Sequence, residues 1–442
     1  CLYCRAMERL YYIWNNLKST FWFVPVFIML GAMLAALVFL RIDGLVELEP
    51  EGIGKFLFVR SIDSARSVLS TISGAMISVA GVVFSVTLVA LTLASNQFGP
   101  RLIKNFMYVR LNQVVLGTYI ASYIYCLIVL NTIQDVDGPS FIPSLSILLA
   151  LVMAVANIVL LIIFIHHIAV SIQADKVIAD IYEAVSKHVE VLFPEKIGEG
   201  VADTDAWDLS TEKSSYSHCT VLTAGKSGYL QFINGETLLR QVSDADALLE
   251  LDYRPGGFLI EGLEIGRLYS HETPDQQLMK HLQHQFLVGN TRSSQQDIEF
   301  SIHQMVEIAV RALSPGINDP YTAIAVIDNL TATMSYLAQV RFPSPYRSDE
   351  AGTLRIAADT IHFEGVLDAA FNQIRQYSGG CVATIIRLME ALTTIDQFTA
   401  DPKADAAVLK HAQMVLNLGK GTIQEPVDLR DLEVRAARIL KD

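Results

Sequence analysis

The chain has 442 residues, a formal net charge of −13 and 52% hydrophobic residues, with a mean hydropathy of +0.37. That length predicts two or three domains. Residues 1–169 hold 10 Lys+Arg against 8 Asp+Glu, which leaves 23 against 38 for residues 170–442, a net of −15. A polar portion that acidic repels a phosphate backbone, which excludes nucleic acid as a partner and disfavours flat docking on anionic lipid.

Residues 1–20 read as a cytoplasmic amphipathic segment, with Leu10, Trp14 and Leu17 on one side and Tyr11, Tyr12, Trp14 and Trp22 suited to an interfacial belt. Cys1 and Cys4 have the C-x-x-C spacing without a second pair to complete a zinc site, and Cys126, Cys219 and Cys381 are scattered. This is the usage of a reducing compartment, and no metal or cofactor is expected. The chain begins at Cys1 rather than at methionine, and the first apolar stretch is too long for a cleaved signal and reads as retained.

Four spans are predicted at about 21–40, 64–95, 114–133 and 142–168, within a transmembrane domain over 21–170. Phe21–Leu40 alone is apolar and uncharged for 20 residues, enough to cross about 30 Å of hydrocarbon. Asp63 is placed to N-cap the second span. Read at helical spacing, that span carries Ser64, Ser67, Thr71, Gly74, Ser78, Gly81, Ser85, Thr92, Ser95 and Gly99 in one stripe, broken only by Leu88. Val68, Ile72, Met76, Val79, Val83, Val86 and Leu93 lie opposite. A slim, hydroxyl-bearing side is expected to meet another helix closely or to meet water, as a packing seam or a pathway wall. In the pathway reading Arg60, Asp63 and Arg66 form the outer mouth.

Orientation follows from the basic residues. Arg5, Arg9 and Lys18 precede the first span, and Arg101, Lys104 and Arg110 lie between the second and third. The loop after the third has only Asp135 and Asp137 as charges, so both termini are predicted to be cytoplasmic.

Beyond the spans, 171–215 reads as a helical connector and linker: Ile178, Ile181, Val185, Val189 and Leu192 repeat at helical spacing and Pro194 ends the pattern. Residues 216–272 read as a small β domain, a barrel or sandwich. Its strands are Cys219–Ala224, Tyr229–Ile233, Leu248–Tyr253 and Gly257–Ile260, with turns at Gly225/Gly228, Asn234-Gly235 and 254–257. Residues 273–442 read as a helical domain, with helices over Asp297–Leu313, Tyr321–Ala338, Val366–Arg375, Thr384–Ile395 and Ala404–Leu418. The fold class expected is therefore a four-helix transmembrane domain followed by a cytoplasmic α+β region.

The sharpest local motif is RALSPGINDPYTA, Arg311 to Ala323. Pro315 and Gly316 stop one helix, Asp319 caps the next, and Pro320 takes its first position. Exposed N–H groups with Ser314 and Asn318 nearby offer a place for a small anion; a capped interhelical corner, with Glu307 pairing Arg311, is the simpler reading.

With AGVVFSVTLVALTLAS and NQFGPRLIKNF upstream and RPGGFLIEG between, this motif set resembles a family of bacterial predicted inner-membrane proteins known only as a domain of unknown function. The resemblance covers nearly the whole chain. It implies four N-terminal spans and a cytoplasmic C-terminal region, and brings no catalytic residues. Gly257 stands where the family pattern has Asp, so this chain lacks that carboxylate beside the turn.

Glu299, His303 and Glu307 share a helix face at a spacing that can hold a metal, but read as a solvated polar face. His281, His284, His166 and His167 read as capping or interfacial residues. No nucleophile–base set, Walker loop or dinucleotide glycine pattern occurs in a supporting context, which disfavours an enzyme. The span interiors carry no Asp, Glu, Lys or Arg, which argues against ion-coupled transport. Two readings remain: a homo-oligomeric, channel-like membrane protein with the second span along its pathway, and a membrane-anchored sensor or scaffold whose cytoplasmic part binds a partner, small ligand or ion.

Overall fold

A computed structural model describes residues 22–45, 61–99, 110–133, 141–171, 173–192 and 207–440. The 1–20 segment, Arg60, Arg101, Lys104, Asp135 and Asp137 lie outside the described residues. The chain divides into two compact units, Cys1–Lys176 and Val177–Asp442.

In the first unit four helices are long and apolar enough to span a membrane: α1 Phe23–Asp43, α2 Ile62–Phe98, α3 Arg110–Thr132 and α4 Ser144–Ser171. α3 is central and packs on the other three. Its Gly117 sits against α1, where an added Cβ would lie 2.9 Å from the Pro25 Cα, so only glycine permits that approach. α2 is 37 residues long, about 55 Å at 1.5 Å per residue, well beyond the hydrocarbon thickness. Its N-cap is Ser61 rather than Asp63, which lies exposed in the first turn, where its charge suits the positive helix end.

The bundle interior holds polar groups that the count of charged residues did not reveal. Asn157 donates to Ser122 Oγ at 2.8 Å, and Tyr119 OH donates to the Asn157 carbonyl at 2.6 Å. Tyr125 OH donates to the Ser146 carbonyl at 3.0 Å. At the bundle end where α1 stops and α4 starts, Asp43 accepts from the N–H groups of Leu145 and Ser146 at 2.8 and 2.9 Å, and from Ser146 Oγ at 2.6 Å. One helix thus caps another, serving amides that α4 cannot satisfy itself.

In the second unit, α5 Ala174–Leu192 begins just before the division, and Val177, Ile178, Ile181 and Val185 on it are buried. There follow α6 Leu209–Ser214, β1 His218–Thr223, β2 Gly228–Ile233, α7 Gly235–Asp244, β3 Leu248–Leu251, β4 Phe258–Leu259, β5 Glu264–Ser270, α8 Gln276–Gln283 and β6 Phe286–Gly289. Next come α9 Ile298–Ala312, α10 Pro320–Leu337, β7 Tyr346–Ser348, β8 Leu354–Ala358, α11 Phe363–Tyr377, α12 Val382–Asp396, α13 Pro402–Thr422 and α14 Pro426–Ala436.

The strands do not close into a barrel. They form a five-stranded sheet ordered β1-β5-β3-β8-β7 and a three-stranded sheet ordered β4-β2-β6. All pairs are antiparallel except β3 with β8. The sheets draw β6, β7 and β8 from sequence read as purely helical. Asn234-Gly235, read as a turn, instead starts α7: Asn234 Oδ1 accepts from the Thr237 N–H at 3.2 Å. One core joins both sheets to α7 and α8 through Leu222, Leu230, Leu238, Val242, Leu249, Leu268, Leu282 and Ile356.

Arg355, on β8, bridges Asp349 and Asp246 at 2.7 Å each. The helices α9 to α14 pack on one another as a bundle. Within it His411 on α13 is buried, with Nε2 2.9 Å from Asp368 Oδ1 on α11. Burial holds this imidazole below the usual 6.5 against the pull of Asp368, with Lys410 and Arg375 adding to the depression.

Candidate functional site

The stripe on α2 faces away from the rest of its own bundle. Ala65, Leu69, Ile72, Met76, Ala80, Val83, Ala90, Ala94 and Phe98 are buried. Ser64, Ser67, Thr71, Gly74, Ser78, Gly81, Ser85 and Thr92 are exposed; Ser95 is half-buried and Gly99 buried. At about 100° per residue the two sets centre on opposite sides of the helix. The opposite face expected from sequence is therefore partly displaced: Val86 and Leu93 are exposed, at 38% and 45%. A Cβ added at Gly74 or Gly81 would touch nothing within 4 Å. No close seam with α1, α3 or α4 runs along this stripe.

Exposed positions elsewhere in the unit supply an internal standard. On α1 they include Phe27, Leu30, Leu34 and Leu37, and on α4 Val152, Val155, Ile158, Val159 and Ile162. Large apolar side chains of this kind suit acyl chains. Between Asp63 and Gly81, by contrast, the exposed positions of α2 are Asp63, Ser64, Ser67, Ser70, Thr71, Gly74, Ala75, Ile77, Ser78 and Gly81, with one large apolar residue among them. Several hydroxyls are satisfied within the helix. Thr71 donates to the Ser67 carbonyl at 2.7 Å, Ser78 to Gly74 at 2.8 Å and Thr92 to Leu88 at 2.9 Å. Ser67 and Ser85 have no side-chain partner among the described residues. What distinguishes this face is its slimness, with hydroxyls available to a neighbour or to water.

Of the expected mouth residues, Asp63 is exposed, while Arg66 turns inward and donates to the Ile133 carbonyl at 3.1 Å. That places a cation on the C-terminal end of α3.

In the second unit the 311–323 corner is built as a cap. Pro320 opens α10, and Asp319 accepts from the Thr322 N–H at 3.2 Å and from its hydroxyl at 2.5 Å. Three of the amides in this corner are served from within: Ile317 and Asn318 donate to the Ser314 carbonyl, and Asp319 to the Ala312 carbonyl. Asn318 adopts φ 51°, and Pro315, Gly316, Ile317 and Tyr321 are exposed. Arg311 is half-buried, and its carbonyl accepts from Ser314 Oγ at 2.6 Å. A second negative charge here would meet the Asp319 carboxylate.

Glu299 is not the solvated residue that sequence suggested. Its side chain is 19% exposed and accepts from Arg254 Nη2 at 2.7 Å. Asp297, 3% exposed, caps α9 through the Phe300 N–H at 3.0 Å and takes both arms of Arg292, at 2.7 and 2.8 Å. Arg292 also approaches His303 Nδ1 at 3.3 Å. Gly256, at φ +98°, packs on the Asp297 carboxylate, where any side chain would collide. The Gln296 amide pairs with both backbone groups of Ile233, at 2.9 and 3.1 Å. Thus the 254–257 turn, the start of α9 and the end of β2 are tied together by charge-assisted and amide hydrogen bonds. Arg254 was visible within the motif. Arg292 and Gln296 carried no sequence signal, since their partners lie on other elements. Among the described residues no group of three His, Cys, Asp or Glu could hold a metal ion.

A family described as "Predicted membrane protein (DUF2254)" matches residues 18–394. Uncharacterised proteins of Mycobacterium bovis and of two strains of Mycobacterium tuberculosis are each 31% identical over 395 residues, 87% of this chain and 74% of theirs. No solved structure matches the chain.

Proposed function

The chain belongs to the DUF2254 family of predicted membrane proteins, and on that footing we propose an oligomeric, channel-like protein of the bacterial inner membrane. The outward side of α2 borders its pathway, and residues 177–442 regulate it from the cytoplasm. One observation carries the reading: between Asp63 and Gly81 α2 turns a slim, hydroxylated side away from its own bundle, while exposed positions on α1, on α4 and on α2 beyond Gly81 include large apolar residues. Such a side gains little from acyl chains and much from a neighbouring copy or from water. The basic residues before the first span and between the second and third support cytoplasmic termini.

Full-length protein purified into planar bilayers is expected to carry unitary currents. Ser78→Leu or Ser85→Leu is expected to abolish them while the oligomer survives. Loss of the oligomer instead identifies the stripe as a seam. Assembled wild-type protein that carries no current overturns the channel and supports a membrane-anchored sensor or scaffold.

A further inference from the structure

Glu364, Asp368 and Gly379 on α11 meet Lys410, His411 and Leu418 on α13 in the same order, so the two helices run side by side in one direction. At the exposed edge of this contact Lys410 donates to Glu364 at 2.8 Å. Further in, His411 is 0% exposed, and its Nε2 lies 2.9 Å from Asp368 Oδ1, which also accepts from Asn372 Nδ2 at 2.8 Å. With a carboxylate as the acceptor, Nε2 carries the proton of the neutral ring and Nδ1 is a bare acceptor. Among the described residues Nδ1 has no hydrogen-bond partner, and neither has the buried Nε of Arg375 on α11. α12 and α14 are the other helices packed on α13. Their charges are engaged elsewhere: Arg387 with Asp328 and Glu390, Arg435 with Glu390 and Asp431, and Glu433 with Lys420. Asp396 is the last residue of α12, and Asp428 and Arg430 lie in the opening turns of α14, which follow the far end of α13. The charged groups acting on the ring are Asp368, Lys410 and Arg375, one anion against two cations.

A second proton on this ring sets an N–H at Nδ1 with no acceptor, and a further positive charge beside Lys410 and Arg375. We propose that the contact is an acid-operated latch: protonation of His411 parts α13 from α11 and admits solvent to the ring. A surface histidine takes its proton without any movement, whereas this one must reach water for its new charge to be solvated. Burial holds the ring below 6.5, and Asp368 pulls the other way. The latch is therefore fully closed above pH 6.5 and loosens as pH falls below it, because the opened form takes the proton first. It lies wholly within the second unit and does not depend on the pathway reading of α2.

The test is amide hydrogen exchange of full-length protein in lipid nanodiscs at pH 7.5 and 5.5, corrected for intrinsic exchange and read peptide by peptide. One histidine whose opened form titrates at 6.5 can loosen a contact by about elevenfold at most at pH 5.5. Peptides from α11 and α13 are expected to lose protection by about threefold to tenfold, and those from β3 and β5 to stay within about 1.5-fold. His411→Gln keeps a donor toward Asp368 but takes no proton, and is expected to abolish the loss. Lys410→Met removes one of the two cations and is expected to reduce it. Exchange at the His411 Cε1–H, which needs no variant to fold, is expected to follow a midpoint below 6.5 in wild type. Unchanged wild-type protection overturns the proposal. So does a loss that persists in His411→Gln, a loss spread evenly over the second unit, or a Cε1–H midpoint at or above 6.5.

Discussion

On α1 and α4 the exposed side chains are Leu34, Leu37, Val155, Ile162 and their like, and Asn157, Ser122, Tyr119 and Tyr125 sit inside. Across residues 207–440 the arrangement is reversed: Leu222, Leu249, Leu330 and Leu388 are buried, and carboxylates and guanidinium groups pair nearer the surface. The same forces produce both patterns. Where the surroundings are hydrocarbon, burying leucine gains little, and an interior hydrogen bond between neutral groups specifies packing at small cost. Where the surroundings are water, apolar burial drives folding, and a charge drawn inward must keep its partners. α2 departs from the first pattern between Asp63 and Gly81, and so its outward side there attracts the functional reading.

Asp297 gives the sharpest way to break this comparison. Asp297→Ala strips the partner from Arg292 and the cap from α9, and is expected to cost about 4 kcal/mol in denaturant unfolding of the full chain in detergent. A loss under about 1 kcal/mol would mean that water already serves those groups. Asn157→Leu tests the other side. It removes a bond inside the helical bundle and is expected to cost about 1 kcal/mol in mixed-micelle titrations. A loss as large as that of Asp297→Ala would erase the distinction between the units.

The smallest effect is that of pH. The His411 imidazole is held below 6.5 in the fold. Above pH 6.5 both folded and unfolded chains leave it neutral, and it contributes nothing to the pH slope. As pH falls through 6.5 the unfolded chain takes the proton first, so stability drops. Thermal melts from pH 7.5 to 5.5 are expected to show this decline, and His411→Leu is expected to flatten it.

The four spans were legible because length and uncharged composition are local properties, and Phe21–Leu40 or Ile142–Ile168 needs no partner to be recognised. The Asp319–Pro320 helix start was legible for the same reason. The sheet was not. β8 pairs in parallel with β3 across about a hundred residues, and nothing in LRIAA announces that partner. β5, EIGRLYS, alternates too weakly to stand out. Asn234-Gly235 fits a hairpin turn and a helix N-cap equally well, and the amphipathic run after it decides for the helix. The stripe on α2 was legible as a pattern, but its direction depended on which face α3 would cover.

The cap that Asp43 lends to α4 crosses 102 residues of chain. Spans enter a bilayer in order of synthesis, so this carboxylate reaches the interface long before the amides it serves exist. Until the fourth span arrives it must be held by water or headgroups, and α4 starts with bare N–H groups until α1 is beside it. The first and last spans therefore complete each other at this end of the bundle.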